Sequence, residues 1–357
     1  MYPSIRSRGP DPLAGTVSQW AMIIKVAMIE IINAPPIPGL NFRPYQGESD
    51  HAQMAAVLTA SAAADHVERK VRADDIAKAF QQLSNCDPFK DILVAEVFGK
   101  IVGYVRGWWD GDTDSGRIYH HNGFLAPEWR RKGIGHAMLL WMESHLAELA
   151  DTHRGDTRYF QVNVTQFQEG TAIMVQRAGY TPTRYFYEMV RPTLNDIVDF
   201  SLPDGLEIRP VRPEHYPALW KSVIDASKDE WGYTEPTEND YQEWLASPHF
   251  QPHLWQVAWD VIKDQIVGHV LTFIDVDENK QRNRTRGYTE GIGVDHNWRR
   301  RGVARALISR SLQAQKDAGM TESALVADSD STSNVIKLYE SCGFQIVKRD
   351  SIYRKHF

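Results

Sequence analysis

The sequence predicts an α/β protein in which one fold is written twice. Three observations carry this. A stretch with the pattern of strand end, basic glycine-containing turn and helix start occurs at Val294–Leu307 and again at Phe124–Leu140. The elements around each copy follow the same order. The length of 357 residues also suits two domains of roughly 100–200 residues each.

The repeated stretch has its own chemistry. In the second copy Tyr288, Glu290, Ile292 and Val294 alternate with Thr289, Gly291, Gly293 and Asp295, which predicts a strand. Val303, Ala306, Leu307, Ile308 and Leu312 then recur at helical spacing. Between them lie Trp298, Arg299, Arg300, Arg301, Gly302, Val303 and Ala304. A helix start carries unpaired N–H groups and partial positive charge, so it attracts anions. Gly302 lets a ligand approach the backbone, and arginines add charge-assisted bonds to phosphate oxygens. The turn therefore predicts a pyrophosphate cradle. The first copy reads Leu125, Trp129, Arg130, Arg131, Lys132, Gly133, Ile134, Gly135. Neither copy is a Walker loop, which needs Gly-Lys-Ser/Thr. Gly291-Ile292-Gly293 lies on the wrong side of the turn for a dinucleotide fingerprint and lacks its third glycine.

From Leu40 the copies can be followed in parallel. Leu40–Pro44 and Leu206–Pro210 are first strands ending at proline. Helical patterns follow at 51–64 and 74–83, and at 215–227 and 238–245. Ile92–Glu96 with Lys100–Val105, and Leu254–Ala258 with Gln265–Val270, predict hairpins. After each cradle come a long helix, a strand (Tyr159–Val164, Ser323–Ala327), a short helix closed by a glycine and an aromatic (Gly179-Tyr180, Gly343-Phe344), and a last strand. The expected divisions are an extension at 1–39, partly disordered, domains at 40–190 and 206–357, and a linker at 191–205. Trp20–Ala34, interrupted by Lys25 and Glu30, is too short to span a bilayer, and no cleavage site follows it.

Arg130-x-x-Gly133-x-Gly135 and Arg299-x-x-Gly302-x-Ala304 resemble motif A of the GNAT superfamily of N-acetyltransferases, and the element order of each half is similar to the GNAT fold. The resemblance covers nearly all of 40–357. It implies two tandem GNAT folds, each a mixed central sheet flanked by helices, with acetyl-CoA as acyl donor. The implied cofactor contacts are Val294, Arg299, Arg300, Arg301, Gly302, Val303 and Ala304 in the second copy. Leu125, Arg130, Arg131, Lys132, Gly133, Ile134 and Gly135 correspond in the first. Asn334-x-x-x-x-Tyr339 before Gly343-Phe344 resembles the family's second functional region. That makes Tyr339 the general acid for the departing thiolate, a role suited to a phenol with a pKa of about 10. Asn334 would contact CoA or cap its helix. Tyr339 also fits core spacing with Val335. The first copy has Val175 and Gly170 at these places, so the resemblance implies an active second half and a degenerate first. An attacking amine must lose a proton, and Glu290, on the strand before the cradle, is the candidate base although offset from the usual family position. His121 stands opposite it in the first copy, beside His120. Asp225, Asp229, Glu230, Trp231, Tyr233, Glu235 and Glu238 would line the acceptor site or form a solvated acidic loop.

Composition narrows the function further. A net charge of −6 argues against bulk nucleic-acid binding. Cys86 and Cys342 are the only cysteines, so no disulfide framework or thiolate metal site is expected, and a cytoplasmic setting is. The expected activity is direct acyl transfer to a primary amine of a small molecule by a monomer or homodimer, with no metal, nucleic acid or membrane partner. A non-catalytic acyl-CoA sensor is the alternative. A transferase using aminoacyl-tRNA fits the acidic balance poorly.

Overall fold

The computed structural model describes residues 28–31, 33–67, 70–110, 116–154, 157–228, 231, 233–328 and 334–357. The expected disorder of the first residues, and Asp229 and Glu230 of the acidic loop, lie outside them. The first half runs β1 (Leu40–Pro44), α1 (Glu48–Ala64), α2 (Ala73–Gln81), the single turn α3 (Pro88–Asp91), β2 (Ile92–Val97), β3 (Lys100–Trp109), β4 (Arg117–Leu125), α4 (Ile134–Ala150), β5 (Arg158–Thr165), α5 (Glu169–Arg177) and β6 (Thr181–Arg191). The second half runs β7 (Leu206–Ile208), α6 (Tyr216–Ser227), α7 (Glu238–Ala246), β8 (Gln256–Asp260), β9 (Gln265–Val270), α8 (Val276–Arg282), β10 (Arg286–Tyr288), β11 (Gly293–Val294), α9 (Val303–Asp317), β12 (Glu322–Asp328), α10 (Asn334–Ser341) and β13 (Gln345–His356).

Local chemistry explains the punctuation. Phe98 and Gly99 both take positive φ in the β2–β3 hairpin, the backbone that a two-residue turn between twisted strands requires. Thr237 and Asp240 cap α7 reciprocally. α5 and α10 end alike: Tyr180 N–H bonds to Val175 and Gly179 N–H to Gln176, while Phe344 N–H bonds to Tyr339 and Gly343 N–H to Glu340. Both glycines have positive φ, which is the Schellman arrangement.

α4 and α5 bury Ala137, Met138, Met142, Leu146 and Val175 against Leu93, Phe160 and Val162, and α1 packs Met54, Val57 and Leu58 on the opposite face. In the second half α9 and α10 share one core with Leu325 and Ala327, while Leu219 of α6 and Trp255 pack on the other face. A buried leucine such as Leu307 contributes roughly 2 kcal/mol.

The structure departs from the sequence expectation in four places. The first strand pair of the second half is shorter: β7 stops at Ile208, and Leu254 and Trp255 sit in turns bonded to Gln251 and Pro252. A helix not expected, α8, precedes the cradle strand, capped by Asp275 on Glu278 N–H. The expected strand at 288–295 is broken into β10 and β11, because Gly291 turns the chain with φ 55°. The halves also do not each complete their own sheet. Nine strands form one sheet in the order β1-β2-β3-β4-β5-β13-β6-β12-β10, and β11-β9-β8-β7 form a second. The last strand of the second half thus lies beside β5, and the last strand of the first half lies beside β12. β13 and β6 also pair with each other, antiparallel.

Among the described residues two strand pairs are parallel. β4 meets β5 over Arg117–His120, and β10 meets β12 over Arg286–Tyr288. Beyond these short stretches the pairing stops, and each half has a gap between its fourth and fifth strands. The cradle turn stands at the end of that gap.

Candidate active site

The two cradle turns share one backbone. Arg131 and Arg300 have φ 62° and 61°, and Gly133 and Gly302 have φ 88° and 90°. Left-handed residues on either side of Lys132 and of Arg301 turn successive N–H groups toward one concavity, an anion nest. Lys132 lies over the Trp129 ring at 4.6 Å, and Arg301 over Trp298 at 4.9 Å. Ala126 N–H bonds to Val102 and Asp295 N–H to Val267, tying each turn to the third strand of its half.

The first arginine of each motif belongs to this scaffold. Arg130 Nε donates to Leu125 O at 3.4 Å, and Arg299 Nε to Val294 O at 3.1 Å. The Arg130 guanidinium, expected at phosphate, instead clamps α1. It reaches Asp65 Oδ1 at 2.6 Å, Asp65 Oδ2 at 3.0 Å and Ser61 Oγ at 2.8 Å. Arg131, Lys132, Arg300 and Arg301 remain exposed at their turns, while Ile134 and Val303 are buried as the first residues of α4 and α9.

The surroundings of the turns differ. A Cβ built on Gly133 would lie 3.2 Å from Pro35 Cβ, because residues 28–31 and 33–39 run over the first half. Ile31 of this segment is buried in the α4 core and Ile29 and Ile37 pack against it. Ile29 N–H bonds to Phe42 O at 2.8 Å. At Gly302 no described atom comes within 4 Å of the same built Cβ.

The gaps differ in the same sense. In the first half, buried His121 and buried Tyr180 bond to each other at 2.8 Å. Burial holds His121 neutral, pushing its pKa down to about 3, and raises that of Tyr180, which lies beside Glu143. Lys355 of β13 pairs with Glu143 at 2.7 Å. In the second half, Glu290, the residue aligned with His121 in sequence, lines a cavity of about 230 Å³. Tyr288, Glu278, Arg282, Arg284, Glu188 and the β12 residues Ala324, Leu325 and Val326 complete its walls. Burial raises the Glu290 carboxyl to about 7, although Val326 N–H donates to it. Tyr288 donates to Glu278, and Arg284 donates to Tyr288 at 2.8 Å. Arg286 bridges Glu322 and Glu188 at 2.7 and 3.2 Å, joining β10, β12 and β6.

Beneath this wall a buried polar network holds the kinked strand on α9. Gln315 Nε2 donates to Thr289 at 2.8 Å, Thr289 meets Ser323 at 2.9 Å, and Thr272 meets Ser311 at 2.5 Å. A buried network that is largely satisfied fixes geometry. His269 packs on Gly293, where any Cβ would come within 2.4 Å of the ring, and it bonds to Ser222.

Tyr339 is buried in the core that holds Val303, Leu307 and Ala327, against which Ile292 and Val294 pack. Its ring meets Phe344 edge-on at 6.4 Å. Val175 fills the equivalent place, fully buried. Asn334 opens α10, and its side chain lies outside the described residues. Sequence reasoning placed Glu290 and the cradle on the second half. It missed the α8 residues Glu278 and Arg282, and also Arg284 and Glu188, for which a polar run without apolar spacing offers little signal.

Comparison with known proteins decides the family. The Acetyltransferase (GNAT) family matches residues 220–344, and the Acetyltransferase (GNAT) domain matches residues 88–182. This chain is a tandem GNAT acetyltransferase. A GNAT relative, the mycothiol acetyltransferase of Geodermatophilus obscurus, is 28% identical over 305 residues, covering 83% of this chain and 92% of that protein. That of Catenulispora acidiphila is 26% identical, covering 64% and 70%. Among solved GNAT structures, a GCN5-related N-acetyltransferase from Sphaerobacter thermophilus superposes with a TM-score of 0.68 at 21% identity, covering 89% of this chain and 95% of that one. A tandem GNAT protein from the clavulanic acid biosynthesis pathway gives 0.60 at 15% identity, covering 89% and 98%. At these identities the structures share the fold. GNAT acetyltransferases use acetyl-CoA. No helix among the described residues is long and apolar enough to cross a membrane.

Proposed function

We propose that the second half transfers an acetyl group from acetyl-CoA to a primary amine of a small molecule by direct attack. The observation that carries this is Glu290, whose carboxyl is pushed up to about 7 and faces a cavity of about 230 Å³ on the strand leading to the open cradle. A carboxyl poised near neutral pH suits proton transfer in either direction.

The residues of the second half fit the donor. The nest around Arg300 and Gly302, the start of α9, and exposed Arg300 and Arg301 suit a pyrophosphate, and Gly302 leaves the backbone approachable. Acetyl-CoA supplies an acetyl thioester that a neutral amine can attack. Glu290 takes the proton that the ammonium form of the acceptor must lose, and Tyr339 gives a proton to the departing sulfur. Relatives named mycothiol acetyltransferase support a small-molecule acceptor.

The test is acetyl transfer to a panel of primary amines, followed by thiol release, for the wild type and Glu290→Gln. The carboxylate is the active form, so kcat/KM should rise with pH through about 7 and then level. Glu290→Gln should lower it on the order of 10²–10³-fold and remove that limb for the same amine, while acetyl-CoA affinity persists. Acetyl-CoA binding with no transfer to any amine would favour the sensor reading instead.

A further inference from the structure

The cavity at Glu290 has one wall that the second half does not make. Glu188 lies on β6, the last strand of the first half, and lines the same cavity as Glu290. The exchange of last strands puts it there. β6 pairs with β12 so that Glu188 stands opposite Val326. Directly opposed residues leave a sheet on the same face. On the other side of β12, Val326 N–H donates to the Glu290 carboxyl. Val326 itself is exposed and also lines the cavity. The cavity is therefore bracketed by two acids with an apolar residue between them. Two strand spacings set the backbones of these acids on the order of 10 Å apart.

The remaining charges at the cavity are already paired. Glu278 holds Arg282 at 3.1 Å and Arg284 at 3.0 Å. Glu188 shares Arg286 with Glu322, and the shorter contact, 2.7 against 3.2 Å, goes to Glu322. One guanidinium between two carboxylates leaves one negative charge uncompensated. Among the described residues no further cation reaches ion-pair distance of Glu188, and none reaches Glu290. An acid at each end attracts a cation to each end. An apolar residue between them suits a methylene chain, in the usual division of a pocket into apolar lining and a few placed polar groups.

We infer that Glu188 receives a second ammonium group of the acceptor while the reacting amine lies at Glu290, so that the acceptor is a diamine. With each nitrogen about 3 Å from its carboxylate, roughly 5–8 Å remains between the nitrogens, the span of a chain of about four or five carbons. This rests on the acetyltransferase reading above and names its acceptor class. The nitrogen at Glu290 loses its ammonium proton to the carboxylate and forms the C–N bond as the thioester C–S bond breaks. Its second proton balances the one that Tyr339 gives to sulfur. The ammonium at Glu188 keeps its protons, and the products are a monoacetylated diamine and CoA. Glu188 is thus a specificity-determining residue supplied by the half that has Val175 in the place of Tyr339.

Two matched pairs of probes test it by calorimetry on the full chain with CoA present: 1,4-diaminobutane against 4-amino-1-butanol, and 1,5-diaminopentane against 5-amino-1-pentanol. The wild type should bind at least one diamine tenfold or more tightly than its amino alcohol. Glu188→Gln should bring that ratio near one with the amino alcohols bound as before, and Glu188→Asp should leave an intermediate ratio. A purely structural role for Glu188 in bridging to Arg286 would instead lower the melting temperature and weaken all four probes alike, and overturns the inference. So does equal binding within both pairs by the wild type, no binding of either diamine at millimolar concentration, or an undiminished ratio in Glu188→Gln. Should Glu188→Gln not fold, the wild-type ratios and Glu188→Asp decide. The same four probes are then offered with acetyl-CoA. Preferred binding of a diamine without acetyl transfer to any probe would sink the acetyltransferase reading and leave this site standing. Acetyl transfer to diamine and amino alcohol with equal kcat/KM would do the reverse.

Discussion

The two cradle turns have nearly the same backbone angles and opposite surroundings. Around Gly133 the chain's own Pro35 is in place, Arg130 is locked onto Asp65, and the gap behind is filled by His121 and Tyr180. Around Gly302 the nearest space is clear of described atoms, and the gap behind opens into the cavity beneath Glu290. A duplicated motif therefore preserves a turn without preserving its surroundings. The turn itself is maintained by local needs: a strand to end, a helix to start, a tryptophan to cover. What differs is set by residues remote in sequence.

Ligand binding breaks the comparison most sharply. Gly302→Glu places a carboxylate in the nest at φ 90°, and should cost more than 100-fold in acetyl-CoA affinity by calorimetry. Gly133→Glu, at a turn already abutted by Pro35, should change that affinity less than twofold and leave one site per chain. Two sites in the wild type, with one lost in each variant, would mean that Pro35 and its neighbours yield to the ligand.

The proposed acid, Tyr339, comes next. Tyr339→Phe keeps the ring in its core and removes the hydroxyl, so kcat should fall about 10- to 100-fold with unchanged acetyl-CoA affinity. An unchanged kcat would reduce Tyr339 to packing, the role its counterpart Val175 has in the first half. The smallest effect concerns the scaffold. Arg130→Ala leaves Asp65, whose side chain is 5% exposed, without its cation. It should destabilise the fold by on the order of 2 kcal/mol in denaturant titration with little change in turnover per folded molecule.

Much of this molecule could be read from its sequence, because its strongest signals are local. The α9 pattern, the basic turns, the glycine–aromatic helix ends and the β2–β3 hairpin are each specified within about fifteen residues. What escaped is specified at a distance. Pro35-Pro36-Ile37-Pro38-Gly39 reads as a spacer, and only packing reveals Ile37 against the core and Pro35 at the cradle. α8, Val-Asp-Glu-Asn-Lys-Gln-Arg, has almost no apolar residue to betray a helix, and depends on the Asp275 cap and its acidic first turn and basic last turn. β6 and β13 both read as last strands, and nothing in one sequence says that each lies beside the other half's fifth strand. Glu188 likewise reaches the cavity at Glu290 only through that exchange.

The exchange also sets a timetable. Gln166 N–H and side chain bond to Arg349, and Arg354 bonds to Gln161, across 183 and 193 residues of chain. During synthesis the first half emerges without the native partner of this edge of β5, which is missing until β13 has been made. An unpaired strand edge invites pairing with other chains. The first half must therefore wait, with its sheet unfinished and exposed to misassociation, while nearly all of its twin is translated.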